Sequence, residues 1–196
     1  QTDLAHFALI HLFVGLLMAI VNSTAHGALA VLGVQPWHAM IGRLGWPIAL
    51  PLCILLADLV QYAIHRSFHE IPLLWRFHSI HHSVKTMDWL AGSRLHLVEV
   101  VITRSLVLAA LLLAGFSKGV IDAYILIVGF HAVLNHSNVN LNLGPLRHLI
   151  VTPAYHHWHH ASEAIALDRN YAAHLPIIDR LLGTQCKPET LWPTHY

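Results

Sequence analysis

Nine of the 19 histidines stand at spacings that are typical of metal ligands. They form an HxxxH motif, an HxxHH motif, one intermediate histidine and a second HxxHH motif: His65, His69, His78, His81, His82, His136, His156, His159 and His160. On a helix, residues i, i+3 and i+4 lie on the same side, so each motif would present its imidazoles together. Because neutral imidazole is a common ligand of first-row transition metals, the pattern predicts a metal site.

The number and type of these ligands indicate which metal would bind. Nine neutral nitrogen donors exceed the needs of one ion, so we expect two ions with four or five ligands each. A structural zinc site is closed, tetrahedral and often rich in cysteine, and neither Cys53 nor Cys186 is near a motif. An open, nitrogen-rich site suits iron that must bind dioxygen, with zinc as a possible substitute in purified protein.

The composition is that of a membrane protein. Hydrophobic residues make up 56% of the chain and charged residues 11%, with a mean hydropathy of +0.56, whereas soluble domains carry about 25% charged residues. The length of 196 residues predicts a single domain, residues 1–196. The net charge of +1 argues against nucleic acid as a partner.

The elements that must position the histidines are predicted to be helices. About 20 apolar residues suffice to cross a bilayer, which predicts an all-α bundle with four spans, over about residues 4–31, 46–65, 97–116 and 120–136. The more polar residues 66–95 and 137–196 would cap the bundle. Counting the crossings brings all nine histidines to one face of the membrane. Eight of the 11 Lys and Arg residues lie on that face, so the positive-inside rule predicts that it is cytoplasmic.

Several further polar residues carry expectations. Asp58 and Arg104 would lie at similar depth within the membrane and are predicted to form an ion pair. His96 is a candidate for contact with the site, His131 and His157 are weaker candidates, and His148, His174 and His195 are expected at the surface. Five acidic residues could accept the second ring N–H of a ligand, and the sequence does not select among them: Glu70, Asp88, Glu99, Glu163 and Asp168.

The motifs resemble those of the membrane fatty acid hydroxylase and sterol desaturase superfamily, whose hallmark is HxxxH, HxxHH and a late HxxHH. The resemblance covers about residues 50–185 and includes segments that flank the motifs: Asn135 to Asn138, Pro153, Asn170, Tyr171 and Asp179 to Thr184. Two positions depart from the family, with Ile178 where an aromatic residue is frequent and Ala172 where glycine is frequent. We expect residues 179–184 to form a surface helix near the site.

The resemblance implies a non-haem di-iron oxygenase that uses O₂ and external electrons to hydroxylate a C–H bond of a lipid from the bilayer. A desaturase with the same site remains an alternative, as do a metal-handling membrane protein and a non-catalytic relative. A metal transporter would instead carry histidines and carboxylates along the spans and on both faces. The sequence lacks His-Pro-Gly-Gly, GxGxxG and CxxC motifs. A separate electron donor, a ferredoxin or a cytochrome b5-like protein, is therefore implied, and the basic face could dock it.

Overall fold

The computed structural model describes residues 4–10, 16, 20, 21, 24, 36–141, 143–186, 188 and 190–196. These residues are helical or irregular and contain no β-strand. Residues 4–10 are helical. The α-helices that follow are α1 (Pro36–Gly42), α2 (Trp46–Glu70), α3 (Pro72–His78), α4 (Leu97–Ala114), α5 (Lys118–His136), α6 (Pro153–His159) and α7 (Pro176–Leu182). Short 3₁₀ helices cover His81–Ser83, Ala91–Ser93 and Gly144–His148.

Three helices, α2, α4 and α5, are long and apolar enough to cross a membrane. Their bounds agree with the predicted spans 46–65, 97–116 and 120–136, except that α2 continues to Glu70 and therefore includes the whole HxxxH motif. Most of the predicted first span, residues 4–31, lies outside the described residues.

Local sequence explains where two of the spans meet. Helix α4 is capped at its C-terminal end by Gly115, whose φ of 91° is a left-handed conformation that glycine adopts readily. Two residues later the Ser117 side chain accepts a hydrogen bond from the Val120 N–H and caps the start of α5. The chain thus reverses direction within three residues. Helix α5 therefore ends on the side of the bundle where α4 begins.

The interior between the spans is apolar. Helix α2 contributes the small residues Ala49, Cys53 and Ala57, each at most 2% exposed, which pack against residues such as Leu111 and Val120 of α4 and α5. Small side chains let neighbouring helices approach closely, which favours packing in a bilayer. This apolar cluster holds the ends of three helices in register, and two of those ends, on α2 and α5, carry motif histidines.

The predicted ion pair between Asp58 and Arg104 is wrong. Asp58 is 0% exposed, and its carboxylate accepts hydrogen bonds of 2.6–3.2 Å from the backbone N–H groups of residues 173–175. Arg104 is exposed on the side of α4 and makes no ion pair with Asp58. Backbone donors satisfy the buried carboxyl group, since the amide groups that precede α7 have no partner within that helix.

Candidate metal centre

The structure brings all nine predicted histidines together. His65 and His69 lie near the end of α2, His78 and His136 are the last residues of α3 and α5, and the remainder lie in the 3₁₀ helix His81–Ser83 and at α6. They form a five-histidine group, His65, His69, His78, His82 and His159, and a four-histidine group, His81, His136, His156 and His160. Within each group the potential ligand atoms lie within 4.8 Å of one another.

Each HxxHH motif is divided between the two groups. In the first motif His78 and His82 belong to the five-histidine group and His81 to the four-histidine group. The second motif has the reverse arrangement, because only its i+3 histidine, His159, belongs to the five-histidine group. Contrary to expectation, the first motif does not form one continuous α-helix, because α3 ends at His78. Each motif therefore connects two potential ion positions.

Hydrogen bonds to backbone carbonyl groups fix the ring orientation of several histidines. The Nδ1–H of His65 donates to the Tyr171 carbonyl oxygen over 2.8 Å. A carbonyl oxygen can only accept, so the proton of this neutral ring is on Nδ1 and its Nε2 carries a lone pair. The same holds for three more rings, each bonded through Nδ1 to a carbonyl oxygen: His81 to Arg94 (3.3 Å), His136 to Ala132 (2.8 Å) and His159 to Arg169 (2.8 Å).

The Nε2 atoms meet in the interior of each group. Nε2 of His136 is 3.4 Å from Nε2 of His81, and both rings have committed their proton to a carbonyl at Nδ1. Two such acceptors cannot hydrogen-bond to each other. In the same buried region Nε2 of His69 and Nε2 of His159 have no hydrogen-bond partner among the described residues. One cation in each group would satisfy these lone pairs, so the residues fit metal ions with nitrogen ligands.

Burial keeps the imidazoles neutral. It lowers the pKa well below its usual value for six histidines outside the spans, and neighbouring imidazoles lower it further: His78, His81, His82, His156, His159 and His160. A neutral ring is the form that binds a metal. These groups therefore have free lone pairs at neutral pH.

Two of the five candidate acidic residues contact a histidine of the site. Glu99 accepts the Nδ1–H of His78 over 2.8 Å, and Asp168 accepts that of His69 over 3.2 Å. The other three bond elsewhere: Glu70 to Arg66, Asp88 to the N–H groups of Leu90 and Ala91, and Glu163 to Thr194.

The other histidines that the structure describes stand outside both groups. His96 caps α4, where it accepts from the Val98 N–H. His157 bonds the Tyr196 hydroxyl at 2.7 Å. His148 and His195 are exposed, as predicted. The prediction that His174 lies at the surface is wrong, because it is half-buried with its Nδ1 2.9 Å from Nδ1 of His131.

Asp179 has a role that the sequence did not reveal. The expected surface helix over residues 179–184 instead spans Pro176–Leu182, and Asp179 is 0% exposed. It accepts hydrogen bonds of 2.7–2.8 Å from the backbone N–H groups of Tyr171 and Ala172 and from the hydroxyls of Tyr155 and Thr184. Asp179 therefore holds the segment whose Tyr171 carbonyl orients His65. In the sequence, only the position of Asp179 within a segment that resembles the family indicates that this residue has a role.

Gly92 allows a close approach at the four-histidine group. A Cβ atom at this position would lie 2.8 Å from Nδ1 of His136 and 3.2 Å from its Cε1. Real Cβ atoms essentially never come this near, so a larger residue here would require the His136 ring or the 3₁₀ helix Ala91–Ser93 to shift.

Comparison with known proteins identifies the family. Residues 50–184, well over half of the chain, match the family model described as fatty acid hydroxylase. The chain belongs to the fatty acid hydroxylase family. The matched region contains all nine histidines of the two groups together with Glu99, Asp168 and Asp179.

Several proteins with curated names are similar to this chain. An ornithine lipid hydroxylase of Rhizobium tropici is 34% identical over 145 residues, which are 73% of this chain and 44% of the relative. The alkylglycerol monooxygenase of Homo sapiens is 30% identical over 65% of this chain and 28% of its own length. A very-long-chain aldehyde decarbonylase of Oryza sativa is 32% identical over 71% of this chain and 24% of its own. The chain thus spans less than half the length of each of these relatives. No solved structure matches it.

Proposed function

We propose that this chain is a membrane-bound, non-haem di-iron oxygenase that hydroxylates a C–H bond of a lipid. The observation that carries the proposal is the pair of facing Nε2 atoms of His81 and His136, whose ring protons are both bonded to backbone carbonyls. A cation bound between two such buried lone pairs would satisfy both of them. Family membership and the lipid-modifying relatives support the choice of an oxygenase over other metal-dependent functions.

The nine histidines would be the ligands of two ions, one in the five-histidine group and one in the four-histidine group. When bound, the iron ions supply the redox chemistry that activates O₂. The overall reaction consumes the lipid C–H bond, O₂, two electrons and two protons, and yields the alcohol and water. Zinc could occupy the same nitrogen ligands in purified protein, without redox activity.

The residues of the chain would orient the ligands and keep the centre dry. Carbonyl groups of residues 94, 132, 169 and 171 hold four rings in place, and Glu99 and Asp168 hold two more. The apolar cluster of α2, α4 and α5 lies on the membrane side of the site. The outer surfaces of these helices carry exposed apolar residues such as Leu126 and Phe130, which suits contact with lipid tails and entry of a lipid substrate from the bilayer.

We also propose that the histidine side faces the cytoplasm and meets a separate electron donor there. The described basic residues on that side include five that are exposed: Arg76, Lys85, Arg147, Arg169 and Arg180. Their charge favours the cytoplasmic side. It would also attract an acidic donor such as a ferredoxin or a cytochrome b5-like protein.

The proposal is tested by metal content and products. Protein purified from iron-supplemented cells should contain about two irons per chain. The double variant His81→Ala/His82→Ala, which removes one ligand from each group, should lose most of this iron. His148→Ala, an exposed histidine outside both groups, serves as the matched control and should keep it.

Lipid extracts of cells that express the active protein, compared with the double variant, should contain a lipid that has gained one oxygen atom. A lipid that has instead lost two hydrogen atoms would assign the chain as a desaturase with the same site. A well-folded wild-type protein without metal would contradict the proposal and favour a non-catalytic relative.

A further inference from the structure

The two histidine groups differ in the partners of their rings. Both carboxylates that contact the site, Glu99 through His78 and Asp168 through His69, belong to the five-histidine group. In the four-histidine group, His81 and His136 donate only to backbone carbonyls. A carboxylate that accepts the Nδ1–H makes the opposite ring nitrogen a stronger donor and places negative charge near the bound cation.

The groups also differ in how many rings are fixed. Four of the five rings in the five-histidine group donate from Nδ1 to a carbonyl or carboxylate oxygen: His65, His69, His78 and His159. In the four-histidine group only two rings do so. Nδ1 of His156 and Nδ1 of His160 are buried and have no partner among the described residues. Their Nε2 atoms contact other imidazoles, at 3.0 Å for His156 to His136 and 3.2 Å for His160 to His156, but no hydrogen bond to an oxygen acceptor in the described part of the chain orients these two rings. The four-histidine group is therefore the less preorganised of the two.

Glu99 and Asp168 are not equivalent. The Glu99 side chain is 10% exposed and that of Asp168 is 68% exposed, so solvent screens the charge of Asp168 far more. Glu99 also lies in the first turn of α4, where the positive end of the helix dipole stabilises a carboxylate. Glu99 should therefore contribute most of the difference between the groups.

We propose that Glu99, with a smaller contribution from Asp168, makes the five-histidine group the tighter of two unequal metal sites. Both are positioning residues, because they act through His78 and His69. The proposal rests on the proposed function only in that both require two bound ions. It implies that one ion is held firmly while the other, with four ligands of which two lack an oxygen acceptor at Nδ1 among the described residues, exchanges first.

The test uses the full chain in detergent, loaded with Co²⁺, and a chelator added in increasing concentration. Bound metal is measured by elemental analysis and by the visible absorption of Co²⁺. Wild-type protein should release its metal in two steps of about one ion each, separated at least about tenfold in chelator concentration. Glu99→Gln should weaken the tighter step about 10–100-fold, whereas Asp168→Asn should weaken it only a few-fold.

Glu163→Gln is the matched control, because the Glu163 carboxylate bonds Thr194 and contacts no histidine of the site. It should leave both steps unchanged. His160→Ala assigns the steps: this variant should lose the weaker step and keep the tighter one at its wild-type position. If Glu99→Gln fails to fold, the result with His160→Ala still decides the order of the two groups.

Release of both ions in one step from wild-type protein would overturn the inference. So would loss of the tighter step in His160→Ala, or a folded Glu99→Gln protein with both steps unchanged. A wild-type enzyme that forms a hydroxylated lipid yet releases its ions in one step would overturn this inference alone. Two steps without any lipid product would instead overturn the proposed function and leave the inequality of the sites standing.

Discussion

The two ends of the helical bundle are stabilised in different ways. Between the spans, Ala49, Cys53 and Ala57 pack against apolar side chains, and no individual contact is directional. At the histidine end, the fully buried residues Asp58 and Asp179 hold backbone N–H groups through hydrogen bonds of defined geometry. Apolar packing tolerates substitutions of similar volume, whereas a buried polar network fails when one partner is removed. The histidine end should therefore be far more sensitive to pH and to single substitutions.

The largest expected difference between the two ends is in their response to acid. In metal-free protein, burial lowers the pKa of six histidines, among them His81, His156 and His160, while in the unfolded chain they titrate near about 6.5. Below that pH the unfolded state binds protons that the folded state does not. Stability is thus fully present above about pH 6.5 and falls with acidification.

Each such group contributes about 1.4 kcal/mol per pH unit in this window, so the total loss by about pH 5.5 amounts to several kcal/mol. Thermal unfolding of chelator-treated protein in detergent measures it. The unfolding temperature should be constant from about pH 7 to about pH 8 and drop steeply below about pH 6.5. An unfolding temperature that stayed constant down to about pH 5.5 would contradict the assignment of neutral buried rings.

The next largest effect is expected for Asp179→Asn. An amide has one carbonyl oxygen in place of two carboxylate oxygens, so it cannot accept all the hydrogen bonds that Asp179 accepts from Tyr171, Ala172, Tyr155 and Thr184. We expect a loss of about 3–5 kcal/mol in unfolding free energy together with loss of bound metal.

The control for this comparison is Cys53→Ala. Cys53 belongs to the apolar cluster between the spans and is 0% exposed. The substitution should cost about 1 kcal/mol and leave the metal content unchanged. Equal losses of metal in the two variants would show that the two ends are not independent.

A smaller and more local effect is expected for Gly92→Ala. The added Cβ would lie 2.8 Å from Nδ1 of His136, so the ring or the 3₁₀ helix must shift by several tenths of an ångström. The ion of the four-histidine group should bind roughly tenfold more weakly. Gly129→Ala, within α5 and with no atom near the added Cβ, is the matched control and should leave metal binding unchanged. Identical metal affinities for the two variants would contradict the described packing of Gly92.

The parts of the fold that depend on short-range patterns were predictable from the sequence. Apolar runs of the sequence predict the three helices that are able to cross a membrane, with ends close to those observed. The spacing of the nine histidines, combined with the direction of each span, predicts that they lie at one end of the bundle. These features depend on residues that are near in sequence or on counting membrane crossings.

The errors concern contacts between distant segments. Asp58 was recognised as a charge that needs a partner, but its partners are backbone N–H groups about 115 residues away in the chain, and a backbone N–H has no sequence signature. The sequence predicts a surface position for His174, because nothing local marks its contact with His131. The division of each HxxHH motif between two groups depends on α3 ending at His78, one turn before the motif is complete.

The hydrogen bonds of residues 168–171 have a consequence for biosynthesis. Asp168, the Arg169 carbonyl and the Tyr171 carbonyl orient His69, His159 and His65 respectively. During translation the spans α2, α4 and α5 are made before these acceptors and before Asp179, which bonds the Tyr171 N–H. Membrane insertion thus precedes completion of the ligand set, and metal loading becomes a late maturation step that follows synthesis of this segment.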